Sequence, residues 1–129
     1  KLYAEQYRLS SEVLVRAELR YSLLKAGQVL TKAVREGDSV EWVNDSVLVV
    51  RHRQSGQPVT DYFYLADKDF DGIIDLYRER LGVPNPVAGR LSAMSCCQVG
   101  NGLWEIRLSA VQGNTVVLWE KKVRQRLWK

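Results

Sequence analysis

Apolar residues recur every three or four positions through the first part of the chain. Val15, Leu19, Leu23, Ala26, Leu30, Ala33 and Val34 fall on one stripe of a helix. No proline interrupts the stretch from Leu2 to Glu36, and its first glycine is Gly27. Gly37 follows as a C′ residue free to take positive φ, and Lys32 and Arg35 stand in the last turn, where cations suit the helix dipole. The pattern predicts one helix over Leu2–Glu36, about 50 Å long at about 1.5 Å per residue. Its stripe is dense only from Val13 onward, whereas residues 1–12 mix Leu2, Tyr3, Tyr7 and Leu9 with charged and polar neighbours. The C-terminal half is therefore expected to pack on a sheet, and the N-terminal half to project from it.

Beyond Gly37 the chain reads as short strands separated by turns. Ser39–Val43 and residues 46–53 make a hairpin about Asn44-Asp45, with Val47, Leu48, Val49 and Val50 supplying β-formers. Residues 54–58 read as a loop, and 59–66 as a strand with Tyr62 and Tyr64 on one face and Phe63 and Leu65 on the other. Residues 76–79 return as a strand. Residues 82–89, which hold Pro84 and Pro86, read as a loop, and 91–99 as a further strand. The clearest alternation sets Trp104, Ile106, Leu108 and Ala110 against Glu105, Arg107 and Ser109, which predicts a strand buried on one face. Gly113-Asn114 turns the chain into a last strand, Thr115–Arg124. One long helix followed by antiparallel strands is an α+β arrangement, the helix lying on one face of the sheet.

Composition narrows the function classes. At 129 residues, with 46% hydrophobic and 26% charged side chains, the chain suits one folded domain over 1–129, a helix at 1–36 and a β region at 38–129. No run approaches ~18 apolar residues, so no segment spans a membrane, and no signal peptide is visible. A projecting helix that starts at Lys1 is expected to continue an N-terminal segment that this sequence lacks. Net charge is +4, with a basic cluster at Lys121, Lys122, Arg124, Arg126 and Lys129. That cluster is a solvated strand face and tail, or a contact for nucleic acid or anionic lipid. The adjacent Cys96 and Cys97 lack metal-ligand spacing and read as two reduced, largely buried thiols. His52, between Arg51 and Arg53, has no local nucleophile pattern. No G-x-S-x-G, P-loop, H-E-x-x-H or G-x-G-x-x-G occurs, which argues against an enzyme. Trp104 and Trp119 read as core, and Trp128 as part of the tail.

The helix segments Leu2-Tyr3-Ala4-Glu5-Gln6-Tyr7-Arg8-Leu9, Arg16-Ala17-Glu18-Leu19-Arg20-Tyr21 and Leu30-Thr31-Lys32-Ala33-Val34-Arg35 resemble the periplasmic half of the spine helix in minor type IV pilins of the PilW kind. J-type pseudopilins of type II secretion are similar. Asp45-Ser46-Val47-Leu48-Val49-Val50, Tyr62-Phe63-Tyr64-Leu65-Ala66-Asp67, Gly72 and Leu76-Tyr77-Arg78 resemble the same family's strands and acidic Gly turn. The resemblance covers residues 2–80. It implies a pilin-like fold, the long N-terminal spine helix packed on an antiparallel sheet. It also implies a structural subunit that co-assembles with other minor pilins or pseudopilins to prime or cap a fibre of major pilin. In that family an N-terminal apolar segment anchors the subunit in the inner membrane, with the domain in the bacterial periplasm. Leu2, Leu9, Val13 and Leu14 are the expected partner-binding face of the projecting helix.

The stretch richest in chemistry is the acidic loop Asp67-x-Asp69-x-Asp71-Gly72-Ile73-x-Asp75. Oxygen ligands at positions 1, 3 and 5, a turn-forming Gly at 6, a backbone carbonyl at 7 (Ile73) and a side chain at 9 are what a Ca2+ loop supplies. Carboxylates so close repel unless a cation sits among them. Position 12 holds Arg78 where an EF-hand carries Glu, so any Ca2+ site here is a non-EF variant. A solvated Asp-Gly turn is the other reading.

Overall fold

The computed structural model describes residues 2–126, with side chains from Ser11 onward. Helix α1 (Leu2–Glu36) leads into eight strands. These are β1 (Ser39–Val43), β2 (Val47–Gln54), β3 (Gln57–Ala66), β4 (Asp75–Arg80), β5 (Val83–Ala88), β6 (Ala93–Gly100), β7 (Leu103–Gln112) and β8 (Thr115–Arg124). The architecture is α+β, and the helix and last strand fall where the periodicity puts them. Every strand pairs antiparallel with its neighbour in sequence, but β1 to β5 form one sheet and β6 to β8 a second. The single sheet expected from the sequence is thus divided between β5 and β6.

Two segments read as loops are ladders instead. Residues 54–58 narrow to the two-residue turn Ser55-Gly56, with φ of 53° and 78°, and Gln54 pairs with Gln57. Paired positive φ values match the right-handed twist of the flanking strands, so the hairpin closes tightly. The proline-bearing segment 82–89 contains β5, an edge strand of the larger sheet. The Leu81-Gly82 turn makes Arg80–Val83 a hydrogen-bonded pair, so the alternation leaves Pro84 and Pro86 at the non-bonded positions opposite Glu79 and Tyr77. Their missing N–H groups would have pointed away from β4, which is where an edge strand tolerates proline.

The core forms between α1 and both sheets. Leu19, Leu23, Ala26, Leu30 and Val34 of the helix are buried, as are Trp104, Ile106, Leu108 and Ala110 of β7. The larger sheet contributes Leu48, Val50, Phe63 and Leu76. The helix packs mainly on β8 and β7 and reaches β5 and β2 with fewer contacts. Ahead of Leu19 the burial thins: no side chain from Ser11 to Glu18 is fully buried, Val15 packs half-buried against the core, and Val13 and Leu14 are 67% and 64% exposed. This is the projection the thinning stripe predicts. Leu2 and Leu9 lie outside the residues whose side chains are described.

The helix end is secured by distant chain. Gly37 N–H donates to the Val34 carbonyl at 3.3 Å, and Arg126 N–H donates to the Arg35 carbonyl at 2.8 Å. These bonds satisfy carbonyls that a helix terminus otherwise leaves open. Gly37 does not adopt the positive φ expected of it. Its requirement is spatial: a Cβ there would stand 2.7 Å from Val50 Cγ1. Behind this junction the buried Gln125 accepts the Trp104 indole N–H at 2.8 Å and donates to the Gly37 carbonyl at 3.4 Å, so both buried groups find partners.

The cysteines separate. Alternation along β6 turns Cys96 into the core and Cys97 to solvent, correcting the expectation that both are buried. Burial pushes the Cys96 thiol up to about 12, which leaves it protonated and unreactive at neutral pH. Trp42 and Trp119 are half-buried against the core, and Trp128 lies outside the described residues.

Candidate functional sites: an acidic loop and a buried ionic cluster

The acidic loop joins β3 to β4. Asp67, Asp69 and Asp71 bring carboxylate oxygens within 4.8 Å of one another. Asp67 organises the turn, its Oδ1 accepting the Asp71 N–H at 3.2 Å and its Oδ2 the Gly72 N–H at 3.0 Å. Asp71 Oδ1 accepts the Ile73 N–H at 2.9 Å. Phe70 and Gly72 both take positive φ, which curls the chain so that three side chains converge. Asp75 opens β4 apart from this triad.

Electrostatics follow from the crowding. Desolvation and the neighbouring Asp71 and Asp67 raise the Asp69 carboxyl above its ordinary value, while the Ile73 N–H lowers that of Asp71. Burial and the same acidic neighbours raise Asp75. The adjacent cation does not neutralise them: Lys68 Nζ lies over the Tyr64 and Tyr77 rings, 5.3 and 5.9 Å from their centroids. Those rings stack at 6.1 Å. Tyr64 donates to Glu79 Oε1 at 2.7 Å, and burial with this bond holds its phenol at about 12. Among the described residues the triad has no ion-pair partner.

A second constellation, unremarked in the sequence, occupies the helix-facing side of the larger sheet. Leu48, Val50, His52 and Gln54 alternate onto one face of β2. Across the ladders Phe63 stands opposite Leu48 and Asp61 opposite Val50, while Arg80 and Arg78 stand opposite Asp61 and Phe63. Paired residues share a face, so this surface passes from apolar to ionic within two residues. Asp61, only 4% exposed, receives Arg80 Nε on Oδ1 at 2.6 Å and Arg80 Nη2 on Oδ2 at 2.8 Å. His52 Nε2 donates to the same Oδ2 at 2.8 Å, and Arg80 Nη1 donates to Gln54 Oε1 at 2.8 Å. Burial raises the Asp61 carboxyl, but the bonds from Arg80 and His52 outweigh it and hold the group below 3.8. The sequence signal was parity: polar His52, Gln54, Asp61, Arg78 and Arg80 occupy the same alternation as the apolar Val50, Phe63 and Leu76. Only the register places them side by side.

A cavity of about 450 Å³ lies between this face and the last turns of α1, with Val29, Lys32, Ala33 and Glu36 on the helix side. The acidic loop and the cavity are distinct sites. The four cations expected at the chain's end, Lys121, Lys122, Arg124 and Arg126, are exposed, and Lys129 lies outside the described residues. No helix among the described residues is long and apolar enough to cross a membrane. Compared with family models, curated proteins and solved structures, the chain shows no match.

Proposed function

We propose that this chain is the periplasmic part of a minor pilin or J-type pseudopilin. It would be a non-enzymatic structural subunit that co-assembles with related subunits to prime or cap a type IV pilus or a type II secretion pseudopilus. The observation that carries the reading is the helix that outruns its core. Side chains of α1 are fully buried only from Leu19, while Val13 and Leu14 stand exposed on the part that leads away from the core. A helix of this length is stabilised along its outer half by a partner more readily than by propensity alone. The resemblance over residues 2–80 names the partners as neighbouring spines in a fibre, and the membrane anchor as an apolar segment encoded ahead of Lys1. About 20 apolar codons upstream in the reading frame would support that anchor, and a start codon immediately before Lys1 would sink it.

Val13→Asp is the direct test of the contact. Val13 is two-thirds exposed, so the variant is expected to unfold within about 0.5 kcal/mol of the parent. Capture of minor-pilin partners should nevertheless be lost, because a carboxylate in an apolar helix interface lacks a partner. Retained capture with a folded variant would remove this surface from the assembly.

The acidic loop belongs to the same proposal as a Ca2+ site held by Asp67, Asp69 and Asp71, with the Ile73 carbonyl and Asp75 as the remaining candidates. Three clustered carboxylates without a cationic partner suit a hard divalent ion. Its work would be structural: cross-bracing the β3–β4 connection, with no chemistry at the metal. Millimolar CaCl2 is expected to raise the melting temperature by a few degrees over chelator, and Asp69→Asn with Asp71→Asn should abolish the shift. Identical melting in both solutions would leave a solvated turn.

The exposed cations of β8 carry a different reading, a surface for DNA or another polyanion. Retention on DNA that falls steeply with salt, together with intact assembly in Val13→Asp, would favour it.

A further inference from the structure

We infer that the cavity between α1 and the β2-β3-β4 face binds a small oxyanion on an aliphatic body, with Arg78 as the principal anchor. The fold leaves one charge on this face without an ion-pair partner among the described residues. Arg80, Asp61 and His52 answer one another in a closed set of bonds. Arg78 is one register step away, opposite Phe63 on β3 and Asn85 on β5. Its Nε is removed from solvent and has no acceptor, and among the described residues Arg78 joins no ion pair. Arginine does not relieve such a position by losing its proton, since its guanidinium stays charged at every accessible pH. Unlike Nε, the terminal nitrogens of Arg78 are not sealed and bond to no acceptor among the described residues, so they are free to take one from outside the chain.

The surroundings define which acceptor. Lys32 of the helix lines the same cavity, and the facing acids are Glu36 and the already engaged Asp61. With Arg80 committed to Asp61, three cations, Lys32, Arg53 and Arg78, remain against Glu36. Val29, Ala33, Val50 and Phe63 supply apolar wall. A planar guanidinium fork matches the paired oxygens of a carboxylate or a phosphate. A volume of about 450 Å³ admits such a group with a short hydrocarbon attached, within the usual range of ligand sites. The apolar wall favours the carboxylate of an aliphatic acid over bare phosphate. The site is independent of the projecting helix and of the acidic loop.

Nitrogen-detected or proton-detected NMR of the Arg78 Nε–H group reports on this position directly. Three probes are titrated into the full chain at constant ionic strength: hexanoate, inorganic phosphate and 1-hexanol. Hexanoate is expected to move the Arg78 Nε–H signal saturably, and 1-hexanol, the same body without charge, is expected to leave it in place. Saturable movement by phosphate alone would overturn the aliphatic body. Arg78→Gln should weaken the effective anion about tenfold, followed through the Phe63 and Val29 signals. Lys32→Gln, at an exposed helix position, gives the same test at lower amplitude should Arg78→Gln fold poorly. A signal that follows neither anion, or one that responds equally to 1-hexanol, would overturn the assignment.

Discussion

Replacing Asp61 with alanine is expected to destabilise the fold by about 3 kcal/mol, seen as a lower urea midpoint with an unchanged slope. Asp61 is the one acceptor shared by Arg80 and His52, and its side chain is almost wholly buried. Its loss leaves a guanidinium and an imidazole N–H facing the cavity without a carboxylate, and that desolvation loss dominates the change. Arg80 is a quarter exposed and can recruit water, which sets the expectation at the lower end of what breaking a buried pair costs. The pH dependence has a definite sign. The folded-state carboxyl lies below 3.8, so its contribution is fully present above the unfolded value and is lost as pH falls through the folded one. The carboxylate's share of the gap between parent and Asp61→Ala should therefore close as the pH falls through the ordinary aspartate range and below it. A gap that stayed fully open well below the aspartate range would mean that the cluster is held by something other than the ionised carboxylate.

Gly27→Ala is expected to destabilise by about 1–2 kcal/mol, against the helix-propensity trend. In an exposed helix interior this change would stabilise by about 1 kcal/mol. Here the Trp119 indole lies on Gly27, and an added Cβ would meet three of its ring atoms at 2.4, 2.6 and 2.7 Å. A fused ring cannot yield by rotating one terminal atom. The helix must lift from β8, or the indole must swing out and surrender its buried face. Overpacking of this kind costs about 1–3 kcal/mol, which outweighs the propensity gain. The melting temperature should fall, and tryptophan emission should shift to the red as Trp119 meets water. A variant more stable than the parent would show that the indole has another place to lie.

The roles of these two residues depend on partners far along the chain. Gly27 appears in the sequence only as an interruption in a helical run, because nothing local records which side chain from position 119 will lie over it. Asp61, His52 and Arg80 are 9 and 19 residues apart along the chain, and their bonding depends on the β2–β3 and β3–β4 registers. The acidic loop is the opposite case. Its carboxylates converge within five residues, through turn geometry that Asp and Gly dictate locally. Sequence spacing therefore anticipated the triad, while Asp75 stands outside it at the start of β4.

The sequence by itself determined the helix from Leu2 to Glu36, the buried face of β7, the last strand and the close approach of Asp67, Asp69 and Asp71. Each depends on periodicity or on neighbours a few bonds away, where backbone geometry leaves little choice. Tertiary structure alone decided the division into two sheets, the use of Pro84 and Pro86 in an edge strand, the solvent exposure of Cys97 and the ionic face beside the cavity. Those outcomes depend on which strand pairs with which and in what register. A one-residue slip would have sent Asp61 and Arg80 to the other side of the sheet.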